Sequence, residues 1–252
     1  MRRTKIICTM GPATDNEDVL RDLMLNGMDV ARLNFSHGSH EEALERINRI
    51  KKVRDELNIP VAILLDTKGP EVRIKDFKEG KVELKEGQKF TLCTDDVVGD
   101  ENQVSITYAN LPNDVKVGSK ILIDDGLIEM EVISVKNSKI LCKVKNGGVV
   151  SNKKGVNVPN VALSMPYMSQ KDIDDILFGI EQDVDFIAAS FVRTANDIRE
   201  IKTLLRDNGG RDIRIIAKIE NAEGVDNIDD IIRETHGIMV ARGDMGVEID
   251  MH

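Results

Sequence analysis

The stretch PVAILLD, residues 60–66, decides the fold. It is apolar from Val61 to Leu65 and ends on a carboxylate. An unbroken apolar run of strand length suits a strand buried on both faces, the habit of parallel sheets covered by helices. Upstream, the same strand–turn–helix unit occurs twice. Residues 4–10 (TKIICTM) are a β-branched run closed by Gly11-Pro12; Thr14-Asp15-Asn16-Glu17 then reads as a capping box, with Val19, Leu20, Leu23 and Met24 at helical spacing. Residues 28–35 (MDVARLNF) form the second strand. Residues 39–42 start a helix carrying Leu44, Ile47, Ile50 and Val53, and the charge run at 41–52 is expected on its solvated face with i,i+4 pairs.

Downstream the pattern changes. Short alternating strands are expected near 81–84, 88–91, 103–107, 120–123, 128–135 and 139–144, with turns at Asp125-Gly126 and Lys136-Asn137. No helical period occurs there. After Pro166 the first pattern returns: a helix capped at Ser169, strands at 184–192, 213–220 and 237–240, and helices over 194–208 and 228–233. The expected organisation is a barrel domain over 1–70, an inserted all-β lid over 71–159, and the rest of the barrel over 160–252. Six strand–helix units at about 27 residues each cannot close an eight-strand barrel, which uses about 31 per unit. Either the sheet is open, or the chain is a truncated (β/α)8 barrel lacking its last two units; residues 247–252 (VEIDMH) read as stopping just before a helix.

Composition excludes several classes. The 252 residues carry 44 acidic and 35 basic side chains, a formal charge of -9, which disfavours nucleic-acid binding. There is no Trp, so base stacking is poorly served. No apolar run reaches the length of a membrane span. Cys8, Cys93 and Cys142 have neither even number nor CxxC spacing, which fits a reducing cytoplasm and structural thiols.

In a βα barrel, chemistry collects at the C-terminal ends of the strands. Here the second strand ends at Arg32 to Gly38, the third at Asp66 to Glu71, the fifth at Lys218-Ile219-Glu220 and the sixth at Arg242-Gly243-Asp244. Glu220 and Asp244 suit magnesium, whose other positions go to water and substrate. Asn34, Ser36, Asp66 and Thr67 offer oxygen ligands to a hard cation. Arg32 and Lys218 offer charge to a phosphoryl group. Plainer roles exist: Glu220 and Asp244 as helix caps, Arg32 as an ion-pair partner. Lys218 is harder to dismiss, because a buried lysine needs a partner and Glu220 shares its face. Ser36-His37 is no nucleophile pair, since adjacent strand residues diverge. His40 and His252 are expected to be solvated.

TKIICTMGPAT, ARLNFSHG, LLDTKGPEVR, KKGVNVPN, DFIAASFV, AKIENAEGVDNI and GIMVARGDMGVEI occur in the order and spacing of the pyruvate kinase family, which the whole chain closely resembles. The resemblance implies magnesium- and potassium-dependent phosphoryl transfer from phosphoenolpyruvate to ADP, in a cytoplasmic enzyme whose full-length form is a homotetramer. It implies that Arg32 holds the transferred phosphate, that Lys218 stabilises the phosphoryl group and the enolate, and that Glu220 and Asp244 bind Mg2+ (or Mn2+). It implies substrate carboxylate on the N–H groups of Gly243 and Asp244, and K+ on Asn34, Ser36, Asp66 and the Thr67 carbonyl, with Glu71 the acidic variant of potassium-dependent members. Asn34, His37, Arg73 and Lys154 take the nucleotide side. His236 stands where the family commonly has Asp, and Ser164-Met165-Pro166-Tyr167 is an unusual return segment. The alternatives are a magnesium-enolate lyase or aldolase and a non-catalytic nucleotide-binding stub.

Overall fold

The computed structural model describes residues 3–249, so His252 lies outside the described residues. In chain order the elements begin β1 (Ile7–Thr9), α1 (Glu17–Leu25), β2 (Val30–Asn34), α2 (His40–Leu57) and β3 (Ala62–Asp66). There follow β4 (Val72–Arg73), β5 (Lys81–Leu84), β6 (Lys89–Cys93), β7 (Gln103–Ser105), α3 (Leu111–Asp114), β8 (Lys120–Ile123), β9 (Ile128–Lys136), β10 (Lys139–Asn146), β11 (Gly148–Ser151) and β12 (Gly155–Asn157). The last are α4 (Gln170–Glu181), β13 (Phe186–Ala189), α5 (Ala195–Asp207), β14 (Arg214–Ile219), α6 (Ala222–Asp226), α7 (Ile228–Glu234), β15 (Gly237–Val240) and α8 (Arg242–Glu248). The chain divides into two compact units. One holds Met1–Gly69, Tyr167–Ile219 and Asn227–Met239; the other holds Pro70–Pro166, Glu220–Asp226 and Val240–His252.

The first unit is built on a six-stranded sheet in the order β1-β2-β3-β13-β14-β15. The β1–β2, β2–β3, β3–β13 and β13–β14 pairs are parallel. Strands joined by helices lie side by side in chain order, which is an incomplete (β/α)8 barrel. The apolar run at 60–66 sits mid-sheet: Ile63, Leu64 and Leu65 are fully buried. Edge strand β1 leaves Ile7 exposed.

Two local expectations change. The cap of α1 is Asn16, whose side chain accepts from Asp18 N–H, while Thr14 instead pairs with Gly11 in the preceding 3-10 turn. The charge run of α2 forms a seam with the start of α1 rather than i,i+4 pairs. Arg46 and Arg49 both reach Asp15, and Lys52 reaches Glu17 at 2.8 Å. Helix α8 runs from Arg242 to Glu248.

The second unit holds a seven-stranded sheet in the order β4-β12-β8-β9-β10-β6-β7 and a β11-β5 pair. All described pairs are antiparallel except β6–β7. Phe90, Leu92, Ile121, Met130 and Val144 centre its core. Asp124, Asp125 and Gly126 turn β8 into β9 with φ of 57°, 53° and 82°. The one-turn α3 is an addition to the all-β expectation; it buries Leu111 and Pro112.

Candidate functional site

The candidate residues divide between the two units. In the first, the β2–β3 register sets Asn34 opposite Asp66 and Arg32 opposite Leu64. Residues two apart share a face, so Arg32 and Asp66 stand diagonally on one side of the sheet. Nε and Nη2 of Arg32 both lie 2.5 Å from Asp66 Oδ2, and Nη1 donates to Thr9 Oγ1 at 2.8 Å. Lys218 Nζ lies 3.1 Å from Asp66 Oδ1 and donates to Ser190 Oγ at 2.8 Å. The Asp66 side chain is 1% exposed and that of Lys218 10%. One buried carboxylate therefore holds two cations. This offsets the desolvation that isolated charges would suffer, and it fixes both cationic heads in space.

Ser190 completes the cluster. Its hydroxyl lies 2.6 Å from the Thr67 carbonyl and 3.0 Å from Asp66 Oδ1. A hydroxyl has one proton, so it donates to one of these while accepting from Lys218. Its backbone N–H donates to Thr67 Oγ1, and its carbonyl accepts from the buried Tyr167 hydroxyl at 3.0 Å. That carbonyl is also where a side chain on Gly69 (φ +69°) would collide, at 2.6 Å. Only glycine lets β3's exit come so close to β13's. Ser190 is inconspicuous in the sequence because it sits inside the apolar block DFIAASFV. Its signal was its place at the end of the fourth strand.

Asn34 Oδ1 accepts from Ser36 N–H at 2.9 Å, which shapes the chain leaving β2. His37 and Gly38 are exposed on that loop. Thr67 is buried, and its backbone N–H donates to the Ala188 carbonyl at 3.0 Å.

In the second unit, Arg73 clasps Glu71 through Nε at 2.6 Å and Nη2 at 2.9 Å, and Nη1 donates to the Lys153 carbonyl at 2.7 Å. The hydrogen bonds Arg73 donates to Glu71, outweighing burial, raise the Arg73 pKa above its ordinary value. Lys154 Nζ lies 2.9 Å from Asp124 Oδ1. Glu220 is buried at 1% exposure, whereas Gly243 and Asp244 are exposed in the first turn of α8. Glu248 of α8 accepts from Asn157 Nδ2 at 2.6 Å, and burial pushes its carboxyl above the usual range. Among the described residues, no three His, Cys, Asp or Glu side chains converge as a metal cage. No helix among them is long and apolar enough to cross a membrane.

The family model for pyruvate kinase, barrel domain, matches residues 1–252. The chain belongs to the pyruvate kinase family. Its relatives include the pyruvate kinase of Clostridium perfringens, 51% identical over 250 residues, which covers 99% of this chain and 53% of that protein. That of Geobacillus stearothermophilus is 54% identical over 98% of this chain and 43% of its own length. That of Staphylococcus haemolyticus is 52% identical over 99% of this chain and 43% of its own. The chain thus spans about half the length of the curated pyruvate kinases it matches. The pyruvate kinase match covers both units, the β-rich one included.

Proposed function

We propose that this protein transfers the phosphoryl group of phosphoenolpyruvate to ADP, giving pyruvate and ATP, within a homotetrameric cytoplasmic enzyme. The observation that carries the reading is the Arg32–Asp66–Lys218–Ser190 cluster, in which one buried carboxylate holds two cations from the ends of β2 and β14 and one hydroxyl orients the second of them. Phosphoryl transfer asks a protein chiefly for positioning and charge neutralisation. The bond between phosphorus and the enol oxygen breaks, and one to a terminal ADP oxygen forms. The enolate's methylene carbon then gains a proton and becomes the pyruvate methyl.

Lys218 would donate to the oxygen that becomes the enolate, and Arg32 would grip the phosphoryl oxygens with its planar fork. Their shared hold on Asp66 orients both before substrate arrives, so little reorganisation remains at the moment of transfer. The N–H groups of Gly243 and Asp244 would receive the substrate carboxylate. Asn34, His37, Arg73 and Lys154 would bind the nucleotide, and the β-rich unit that carries Arg73 and Lys154 would act as a lid.

The donor sets fit the cations. Asn34 and Asp66 are register partners and, with Ser36 and the Thr67 carbonyl, present hard oxygens to K+. Glu220 and Asp244 present carboxylates to Mg2+ or Mn2+. When bound, these ions supply neutralising charge at the phosphoryl and enolate oxygens.

The test is pyruvate formation by this chain, coupled to NADH oxidation through lactate dehydrogenase, with Mg2+, K+, phosphoenolpyruvate and ADP. The expected result is ADP-dependent pyruvate, abolished in Lys218→Ala. ADP-independent release of pyruvate from a longer oxo or hydroxy acid would favour a lyase, and full activity of the variant would overturn the assignment of Lys218.

A further inference from the structure

Helix α4 buries two carboxylates, Asp172 and Asp175, on the face that also carries Ile176 and Phe178. Asp172 has a local reason: it completes the capping box with Ser169, and its Oδ1 takes the Gly69 N–H at 2.9 Å. Asp175 has none within its own turn beyond Lys171. Its carboxylate is 1% exposed. Oδ2 accepts from Lys171 Nζ at 2.7 Å, and Oδ1 lies 2.8 Å from His40 Nε2. Lys171 Nζ reaches onward to the Phe35 carbonyl at 2.8 Å. The His40 ring stacks on Phe178 at 4.4 Å and 20°. His40 is thus partnered on one side while its side chain keeps 39% exposure to solvent.

Phe35 and His40 are the two ends of one loop. Phe35 follows the last residue of β2, and His40 is the first residue of α2. Between them lie Ser36 and His37. We infer that Asp175, acting through Lys171 and His40, is a positioning residue that clamps both ends of the 35–40 loop and so sets Asn34, Ser36 and His37 for their ligands. This rests on the reading that those residues serve K+ and nucleotide. The chemistry supports a clamp. A buried ionised carboxylate requires donors, an ionised carboxylate only accepts, and both its donors come from or lead to the loop's ends.

The test has two readouts on this chain and on Asp175→Asn and Lys171→Met. The first is amide hydrogen exchange. In each variant the amides of residues 36–39 exchange at least tenfold faster, while those of β3 and of residues 176–180 keep their protection. The second is ADP affinity by calorimetry with K+ and Mg2+ present, which weakens at least fivefold. Lys171 is partly exposed, so its variant decides the matter if Asp175→Asn does not fold. Unchanged loop exchange, or uniform loss of protection through the first unit, overturns the clamp. Loop release with unchanged ADP affinity overturns its role in positioning. Absence of ADP binding by the unaltered chain, with the clamp intact by exchange, would instead overturn the nucleotide reading.

Discussion

Replacing Asp66 with Asn keeps the shape of the side chain and removes the charge that two cations share. Arg32 has an alternative, because its side chain is a quarter exposed and Nη1 already bonds Thr9. Exposed charge is cheap to leave unpaired. Lys218 is far more buried: its side chain is 10% exposed, with Asp66 Oδ1 at 3.1 Å and Ser190 Oγ, a neutral partner, at 2.8 Å. Breaking a buried pair by removing one partner costs about 3–5 kcal/mol, because a charge is left buried without compensation. We therefore expect Asp66→Asn to destabilise the first unit by about 3–5 kcal/mol, a large part of the roughly 5–15 kcal/mol available to a whole domain. Lys218→Met removes the stranded cation instead. It leaves Asp66 with Arg32 and Ser190, and should cost about 1–3 kcal/mol. The double variant should recover most of the loss, with a coupling energy of at least about 1 kcal/mol. Hydrogen exchange of β3 and β14 amides across a urea series reads the first unit by itself. A loss under about 1 kcal/mol in Asp66→Asn, or strict additivity in the double variant, refutes the shared-carboxylate account.

Other expectations are briefer. Gly69→Ala combines a left-handed backbone with a Cβ placed 2.6 Å from the Ser190 carbonyl; it should cost about 2 kcal/mol or more in the same exchange assay, and a neutral result would show that the two strand exits are loosely held. Burial holds the Glu248 carboxyl above its ordinary pKa. The unfolded chain ionises first, so the group's contribution to stability is fully present at low pH and is lost as pH rises through the raised folded value. The difference in unfolding free energy between the unaltered chain and Glu248→Gln, followed upward from pH 4, should show that loss, and a flat difference would contradict it. Burial pushes the Cys142 thiol up to about 12 and also raises Cys93. In the native protein at pH 8 a disulfide reagent should label Cys8 alone, and rapid labelling of Cys142 would contradict its place in the core.

Much of the fold could be read from local pattern. Val61, Ile63, Leu64 and Leu65 of the run at 60–66 lie deep in the sheet because their apolar side chains point to both of its covered faces. Thr194 and Ser169 cap their helices because each can exchange hydrogen bonds with an aspartate three residues on. What escaped was long-range. Asp175 looks like a polar-face residue of α4, and its partner His40 lies 135 residues upstream. The cations of α2 suggested pairs along one helix, yet Asp15 beyond the helix offered Arg46 two oxygens at once. A bidentate fork is stronger than a pair of flexible surface chains. In the candidate site, the strand-end position of Lys218, Arg32 and Asp66 was legible from the strand rhythm. The convergence of Lys218 and Asp66 on Ser190 needed the β3–β13 and β13–β14 registers, which no local pattern specifies.

The most direct test of the central claim is calorimetric titration of phosphoenolpyruvate into this chain with Mg2+ and K+ present, beside Lys218→Met. If the cluster of Asp66, Lys218 and Arg32 is a substrate-binding device, binding is saturable with one site, and the variant weakens it at least tenfold. Equal affinity in both proteins, or no binding by a chain whose β14 amides remain protected, would contradict it.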